Sequence, residues 1–254
     1  MSNENFVAII PARENSSRVP RKNLRSFPKI SLTSHKIQQA LSVDSIDKVI
    51  LTTDSIELIQ ESKIIKNKKL NLVHRPSSLA TSTSNTLDAV KHALNTIGIT
   101  EDQYKKWTII LLQPTSPLFS GVHIESALNQ YRSDRDKDKV GLFSVERLPG
   151  KFQGEKHYYY DPVDNKLSEA YVKSVSQRVC SPSEYLVSRN GCSIYILKAQ
   201  YLEGGFFQAG MKGYLVNSAL SVDIDTEYDF VQAQLIYDYL QENQLDLFHP
   251  FKDF

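Results

Sequence analysis

Phe6-Val7-Ala8-Ile9-Ile10-Pro11, running directly into Ala12-Arg13-Glu14-Asn15-Ser16-Ser17-Arg18-Val19-Pro20-Arg21-Lys22-Asn23, is the stretch whose reading decides the fold. Five apolar residues closed by a proline are how a parallel strand reads when both of its faces are buried. The polar and basic residues that follow have no period, which predicts a loop at the carboxyl end of that first strand. Further on, Ile37, Ala40 and Leu41 recur at helical spacing, and Lys48-Val49-Ile50-Leu51-Thr52-Thr53 reads as a second strand. Asp54 with Glu57 can cap a helix after it.

The same rhythm continues along the chain. Leu70 to Val73 is a short strand, and Leu87, Val90, Leu94 and Ile97 form one helical stripe behind an N-cap at Ser84 or Asn85. Trp107 to Leu112 is a strand ended by Gln113-Pro114-Thr115-Ser116-Pro117, and Ile124, Ala127, Leu128 and Tyr131 make the next helical stripe. Val140 to Val145 adds a further strand. Strands alternating with helices of this length predict an α/β fold with a doubly wound, mostly parallel, Rossmann-like sheet, its ligands outside the carboxyl ends of the strands. Residues 146–185 break the pattern, being rich in charge, Tyr and Pro, and read as a β-ribbon excursion from a single domain spanning 1–254. Ile194 to Leu197 and Leu220 to Ile224 return to strand-like runs. Thr226 with Asp229 as a capping box opens a closing helix whose buried face is Phe230, Ala233, Tyr237 and Leu240.

Composition narrows the function classes. Acidic and basic residues nearly cancel, for a formal charge of +1, so no global field advertises nucleic acid or an anionic membrane, and any anion site must be local. Cys180 and Cys192 are too few for a disulfide framework and lack the partners of a zinc site, which fits a reducing cytosol. The apolar run near the N-terminus is too short for a signal peptide or a membrane span, so a soluble cytoplasmic protein is expected. Glycine is scarce, 10 in 254, so phosphates would have to be met by side chains as well as backbone.

Three segments could carry chemistry. The loop after the first strand holds Arg13, Arg18, Arg21 and Lys22. A triphosphate needs such fixed cations, the arginines as bidentate forks and the lysine as a point charge, although a solvated basic loop has the same composition. Asp223-Ile224-Asp225 puts two carboxylates on one side of an extended segment, where they can face a hard cation such as Mg²⁺ or Mn²⁺. The other reading of that segment is a helix start with Asp225 serving the N-terminus. Gln113-Pro114-Thr115-Ser116-Pro117 lies where a ligand crevice is expected, or is a helix-start turn with Pro117 near the first helical position.

Taken together the segments resemble the cytidylyltransferases that make CMP-sialic acid and related CMP-nonulosonates. The resemblance spans nearly the whole chain in order: Ile10-Pro11-Ala12-Arg13 through Pro20-Arg21-Lys22-Asn23, Thr52-Thr53-Asp54, Arg75-Pro76 with Leu79-Ala80, Leu112 through Leu118, Asn190-Gly191 and Asp223-Ile224-Asp225-Thr226. It implies CMP transfer from CTP to a nine-carbon acidic sugar with release of pyrophosphate, in a homodimer whose 146–185 segment caps the neighbour's sugar pocket. It further implies that Ala12, Arg13, Ser16, Arg18, Lys22 and Asn23 contact the CTP, that Arg75, Ser84 and Thr86 read cytosine and ribose, and that Asp223 and Asp225 hold the metal. Gln113, Arg178, Asn190 and Tyr195 would face the sugar, and Arg13, Lys22 and Asp225 would carry the catalysis. The chain departs from the family pattern at Ser17, where lysine is usual, at Arg18, usually glycine, at Ser82, usually aspartate, and at Pro28-Lys29 in place of a glycine. Arg18 would then be a displaced cation, standing one position after the missing one. Two other readings stay open: a KDO-type or other sugar nucleotidyltransferase, and a catalytically weak nucleotide-binding regulator on the same fold.

Overall fold

The computed structural model describes residues 4–16, 18–134, 140–147, 158–160, 167–169, 187–189, 194–208 and 210–243. Among the described residues ten strands and five α-helices follow one another as β1 (Asn5–Pro11), α1 (Leu32–Leu41), β2 (Lys48–Thr53), α2 (Ile56–Ser62), β3 (Leu70–His74), α3 (Thr86–Thr96), β4 (Trp107–Leu111) and α4 (Gly121–Ser133). After these come β5 (Gly141–Arg147), β6 (Tyr158–Tyr160), β7 (Leu167–Glu169), β8 (Val187–Arg189), β9 (Tyr195–Lys198), β10 (Lys212–Val216) and α5 (Glu227–Glu242).

The main sheet runs β10-β5-β9-β4-β1-β2-β3, with β8 also paired to β5. β1 lies parallel between β2 and β4, so its residues face a helical layer on each side. That is why its apolar run is continuous: Phe6, Ala8 and Ile10 enter the core beneath α1, α4 and α5, while Val7 and Ile9 enter the opposite core with Val90, Ala93 and Leu94 of α3. β9 runs antiparallel to both β4 and β5, and β10 is parallel to β5, giving a mixed, mostly parallel sheet wound by helices on both faces. The chain leaves β1 toward β2 on one side and returns at β4 on the other, so the switch point lies at the carboxyl ends of β1 and β4. Within the 146–185 stretch the described strands β6 and β7 pair antiparallel as a separate two-stranded ladder. No helix among the described residues is long and apolar enough to cross a membrane.

Three local expectations are corrected and one alternative is settled. Leu220 to Ile224 is not a strand: Ser218–Leu220 is a 3-10 turn and the following residues join no sheet, Ile224 N–H donating 2.9 Å to the Thr115 carbonyl. The strand lies earlier, at β10, an edge with only Val216 buried, which leaves no hydrophobic pattern to read. Ser55, not Asp54, caps α2, because Asp54 is turned away to accept from the Glu14 N–H at 3.0 Å. Pro117 stands outside α4, which begins at Gly121 behind a Ser120 cap. Of the two candidates before α3, Asn85 is the cap.

Candidate active site

The carboxyl ends of the parallel strands open into one polar crevice of about 270 Å³, near the lower end of the roughly 300–1,000 Å³ usual for small-ligand clefts. Its floor is Pro11 with the turn after β4, one wall is the 13–23 loop, and the opposite wall is the 79–86 segment leading into α3. The last side is closed by Asp223 and Asp225.

The basic loop reaches the crevice through one bend. Arg21 has φ 52°, a left-handed conformation unfavourable for a side chain with a Cβ, and its side chain pairs with Glu57. The chain then enters the 3-10 turn Lys22–Leu24, which directs Lys22 and Asn23 inward and buries both. Asn23 Nδ2 donates to the Arg13 carbonyl at 2.8 Å and Thr33 Oγ1 donates to the Asn23 carbonyl at 2.9 Å, so the loop is tied to itself and to α1. Arg13 reaches across and donates from Nη1 to the Thr81 carbonyl at 3.1 Å, joining the two walls. Arg75 is buried behind them, 4% exposed, with Nη2 3.9 Å from Asp54 Oδ1. Burial pushes its guanidinium down, Asp54 counteracts, and the Arg13 charge adds to the depression.

On the acidic side, Lys22 Nζ donates to the Ile224 carbonyl and stands 3.5 Å from Asp225 Oδ1, while Arg18 Nη1 pairs with Asp225 Oδ2 at 2.9 Å. Asp229 Oδ2 accepts from the N–H groups of Asp225 and Thr226 at 3.0 and 2.7 Å, fixing the backbone that carries the carboxylate. Among the described residues no cation is within ion-pair distance of Asp223. Burial pushes its carboxyl up; Thr115 beside it acts the other way, the Asp225 charge raises it further, and Lys22 lowers it. Among the described residues its buried Oδ1 meets no hydrogen-bond partner of good geometry, Thr115 being a near neighbour only, and neither do the buried Thr115 Oγ1, Asn23 Oδ1 and Arg75 Nε. Four buried polar atoms without a protein partner thus gather on residues of one crevice, and buried polar groups are as a rule paired. They form a ready set of donors and acceptors for a polar ligand. Among the described residues no group of three or more His, Cys, Asp or Glu could hold a metal ion. Two carboxylates, one with an unpartnered buried oxygen, do suit a Mg²⁺-like ion that completes its shell from phosphate oxygens and water.

A second cavity of about 240 Å³ adjoins the first through the shared residues Asn85, Thr86 and Gln113, and is walled by Tyr195, Phe206 and Phe207. The wall is aromatic because Phe207 packs edge-on to Tyr195 with centroids 5.2 Å apart. Gly205, at φ 81°, supplies the bend that brings both phenylalanines over it.

The family model described as Cytidylyltransferase matches residues 7–186. The chain belongs to the cytidylyltransferase family. Its relatives include the N-acylneuraminate cytidylyltransferase of Streptococcus agalactiae serotype III, 31% identical over 252 residues that cover 96% of this chain and 56% of that protein. The chain thus spans about half the length of that relative. The CMP-N,N'-diacetyllegionaminic acid synthase of Legionella pneumophila is 27% identical, with 93% of this chain and 98% of that protein covered. Among solved structures, a CMP:2-keto-3-deoxy-manno-octonic acid synthetase complexed with CTP superposes with a TM-score of 0.64 at 15% identity, covering 93% of this chain and 99% of that one. At that identity the likeness concerns the fold.

In this chain the crevice gathers Arg13, Ser16, Lys22, Asn23, Arg75, Ser84, Thr86, Gln113, Asp223 and Asp225 from segments more than 200 residues apart. Arg18 lies outside the wall, at the mouth on Asp225, and Tyr195 lies in the adjoining aromatic cavity. Ala12 is not in the wall: its side chain is buried in the core and its N–H donates to the Thr52 carbonyl, because the strand's alternation turns it inward. Arg178 and Asn190 lie outside the described residues, as does Ser17. Ser82, where the family pattern has aspartate, lines the crevice. Sequence reasoning missed Phe206 and Phe207, whose one signal was the preceding Gly204-Gly205 pair, and Thr81, which acts through its carbonyl and so leaves no side-chain signature.

Proposed function

We propose that the chain transfers CMP from CTP to the anomeric hydroxyl of a nine-carbon acidic sugar, N-acylneuraminate or a close relative, releasing pyrophosphate. The observation that carries this reading is the set of unpartnered buried polar atoms, Asp223 Oδ1, Thr115 Oγ1, Asn23 Oδ1 and Arg75 Nε, in a crevice that also holds Arg13 and Lys22. The sugar oxygen attacks the α-phosphorus in line as the bond to the pyrophosphate oxygen breaks, and the hydroxyl proton passes to a water beside Asp225. Arg13 and Lys22 neutralise the charge that builds on the leaving pyrophosphate, and their fixed positions spare the reorganisation that water would require. Arg75, Ser84 and Thr86 form the nucleoside end, and Gln113 with the Tyr195, Phe206 and Phe207 cavity forms the sugar end. A divalent metal on Asp223 and Asp225 would supply Lewis-acid charge stabilisation to the phosphates.

The test is pyrophosphate release by purified protein with CTP and Mg²⁺ across N-acetylneuraminic, legionaminic and pseudaminic acids and KDO. Turnover with a nine-carbon acid, abolished by EDTA and restored by Mg²⁺ or Mn²⁺, is expected. Turnover with KDO alone would move the substrate to the eight-carbon class, and no release with any sugar would overturn the enzyme reading in favour of a nucleotide-binding one.

Arg18 has a separate test. Its guanidinium, well exposed and paired to Asp225, is proposed to turn to the triphosphate in place of the usual preceding lysine. Arg18→Ala should raise the KM for CTP roughly fivefold, the equivalent of ~1 kcal/mol for an exposed charge pair. Unchanged KM and kcat would sink the compensation.

A further inference from the structure

Lys36 lies in the middle of α1 with no exposed surface, and among the described residues no carboxylate pairs with it. Burial pushes its ammonium down to about 7. A buried lysine without an acid is costly, whereas methionine would fill similar space at no electrostatic cost. Its donors have a defined use. Nζ donates to the carbonyls of Ser116 at 2.7 Å and Phe119 at 3.1 Å, both in the turn between β4 and α4. Its neighbours on α1 reach the same turn: Gln39 Nε2 donates to the Pro117 carbonyl at 2.8 Å, and His35 Nε2 stands 3.2 Å from that oxygen.

The far side of this turn faces the crevice. Gln113, Pro114 and Thr115 line it, and the Thr115 carbonyl accepts the Ile224 N–H at 2.9 Å. Lys36 therefore sits behind one backbone segment whose front carries Gln113 and Thr115 and whose next hydrogen bond fixes the residue between Asp223 and Asp225. Three carbonyls in succession along the turn, 116, 117 and 119, meet side chains of one helix. A two-proline turn has few N–H groups with which to hold itself, so its carbonyls are held from outside.

We propose that Lys36 is a positioning residue, its ammonium fixing the 113–119 turn from behind so that Gln113, Thr115 and the Asp223–Asp225 pair are presented together at the site. This rests on the cytidylyl-transfer reading for its catalytic consequence but not for its structural one. Lys36→Met keeps the bulk and removes the donors. Amide exchange at Ile224 should become at least tenfold faster, while the amides of β1 exchange as in the wild type. In the same variant kcat/KM should fall at least tenfold, with the loss in the sugar KM and metal requirement rather than in nucleotide affinity. Lys36→Gln, which retains a neutral amide donor, should recover part of both. Exchange and kcat/KM within twofold of wild type would overturn the proposal, as would faster exchange spread evenly over the whole sheet, the mark of a merely stabilising residue. If neither variant folds, Lys36 is structural and the proposal fails. Wild-type protein without turnover would refute the transferase reading while the exchange result still judges Lys36.

Discussion

Replacing Lys22 with methionine should lower kcat by about 100- to 1,000-fold, the cost typical of removing one preorganised donor from a site of developing charge. Lys22 is the most enclosed cation on the phosphate side: it is nearly buried and its Nζ is held by the Ile224 carbonyl and Asp225. Arg18 cannot stand in for it, because that guanidinium is well exposed on the outer oxygen of the same carboxylate. Methionine keeps the packing, and the ion pair being removed ends on a half-exposed aspartate, so the thermal midpoint should move little. Steady-state kinetics beside a melting curve separate the two effects. A kcat within tenfold of wild type would remove Lys22 from the chemistry.

Asp223→Asn is the second large effect, and it should split stability from activity. The folded state raises the Asp223 carboxyl, chiefly through burial, so it binds the proton more tightly than the unfolded chain does. Stability therefore falls as pH climbs from the ordinary carboxylate range through the raised value, and the penalty of the buried charge is fully in force above it. Asparagine carries no charge, so the variant should melt at or above the wild-type temperature at pH 7, with the difference vanishing in acid. Turnover with Mg²⁺ should nevertheless fall on the order of 1,000-fold, the rate equivalent of losing several kcal/mol of Lewis-acid stabilisation. Mn²⁺ binding followed by electron paramagnetic resonance supplies a readout apart from turnover. Full Mn²⁺ affinity in the variant would exclude Asp223 as a ligand, and a lower melting point at pH 7 would show that its charge is stabilising.

Legibility differs between the two halves of the site for a physical reason. The basic loop, the Gln113 to Pro117 turn and the Asp223-Ile224-Asp225 segment each follow or precede an element with a strong hydrophobic period, so their place at the strand ends could be read from that period. The aromatic cavity could not, since Phe206 and Phe207 follow a short antiparallel strand and a 3-10 turn that carry no period. Edge strand β10 was invisible for a related reason, with one buried residue in five. Ala12 sits in a motif but faces the core, which a contact list drawn from residue order cannot distinguish.

By itself the sequence determined the α/β architecture, because a run of apolar residues ended by Pro11 and repeated at regular intervals can bury both faces only between two layers of helices. It also pointed to the type of chemistry proposed, through the residue kinds available at the strand ends. Tertiary structure alone decided that β9 returns antiparallel, that Asp225 is ion-paired while Asp223 Oδ1 is left without a partner, and that Lys36 closes against the back of the crevice turn. Those outcomes depend on distances between residues more than 200 positions apart in the Arg18–Asp225 case, which the closing of the sheet sets and local periodicity does not encode.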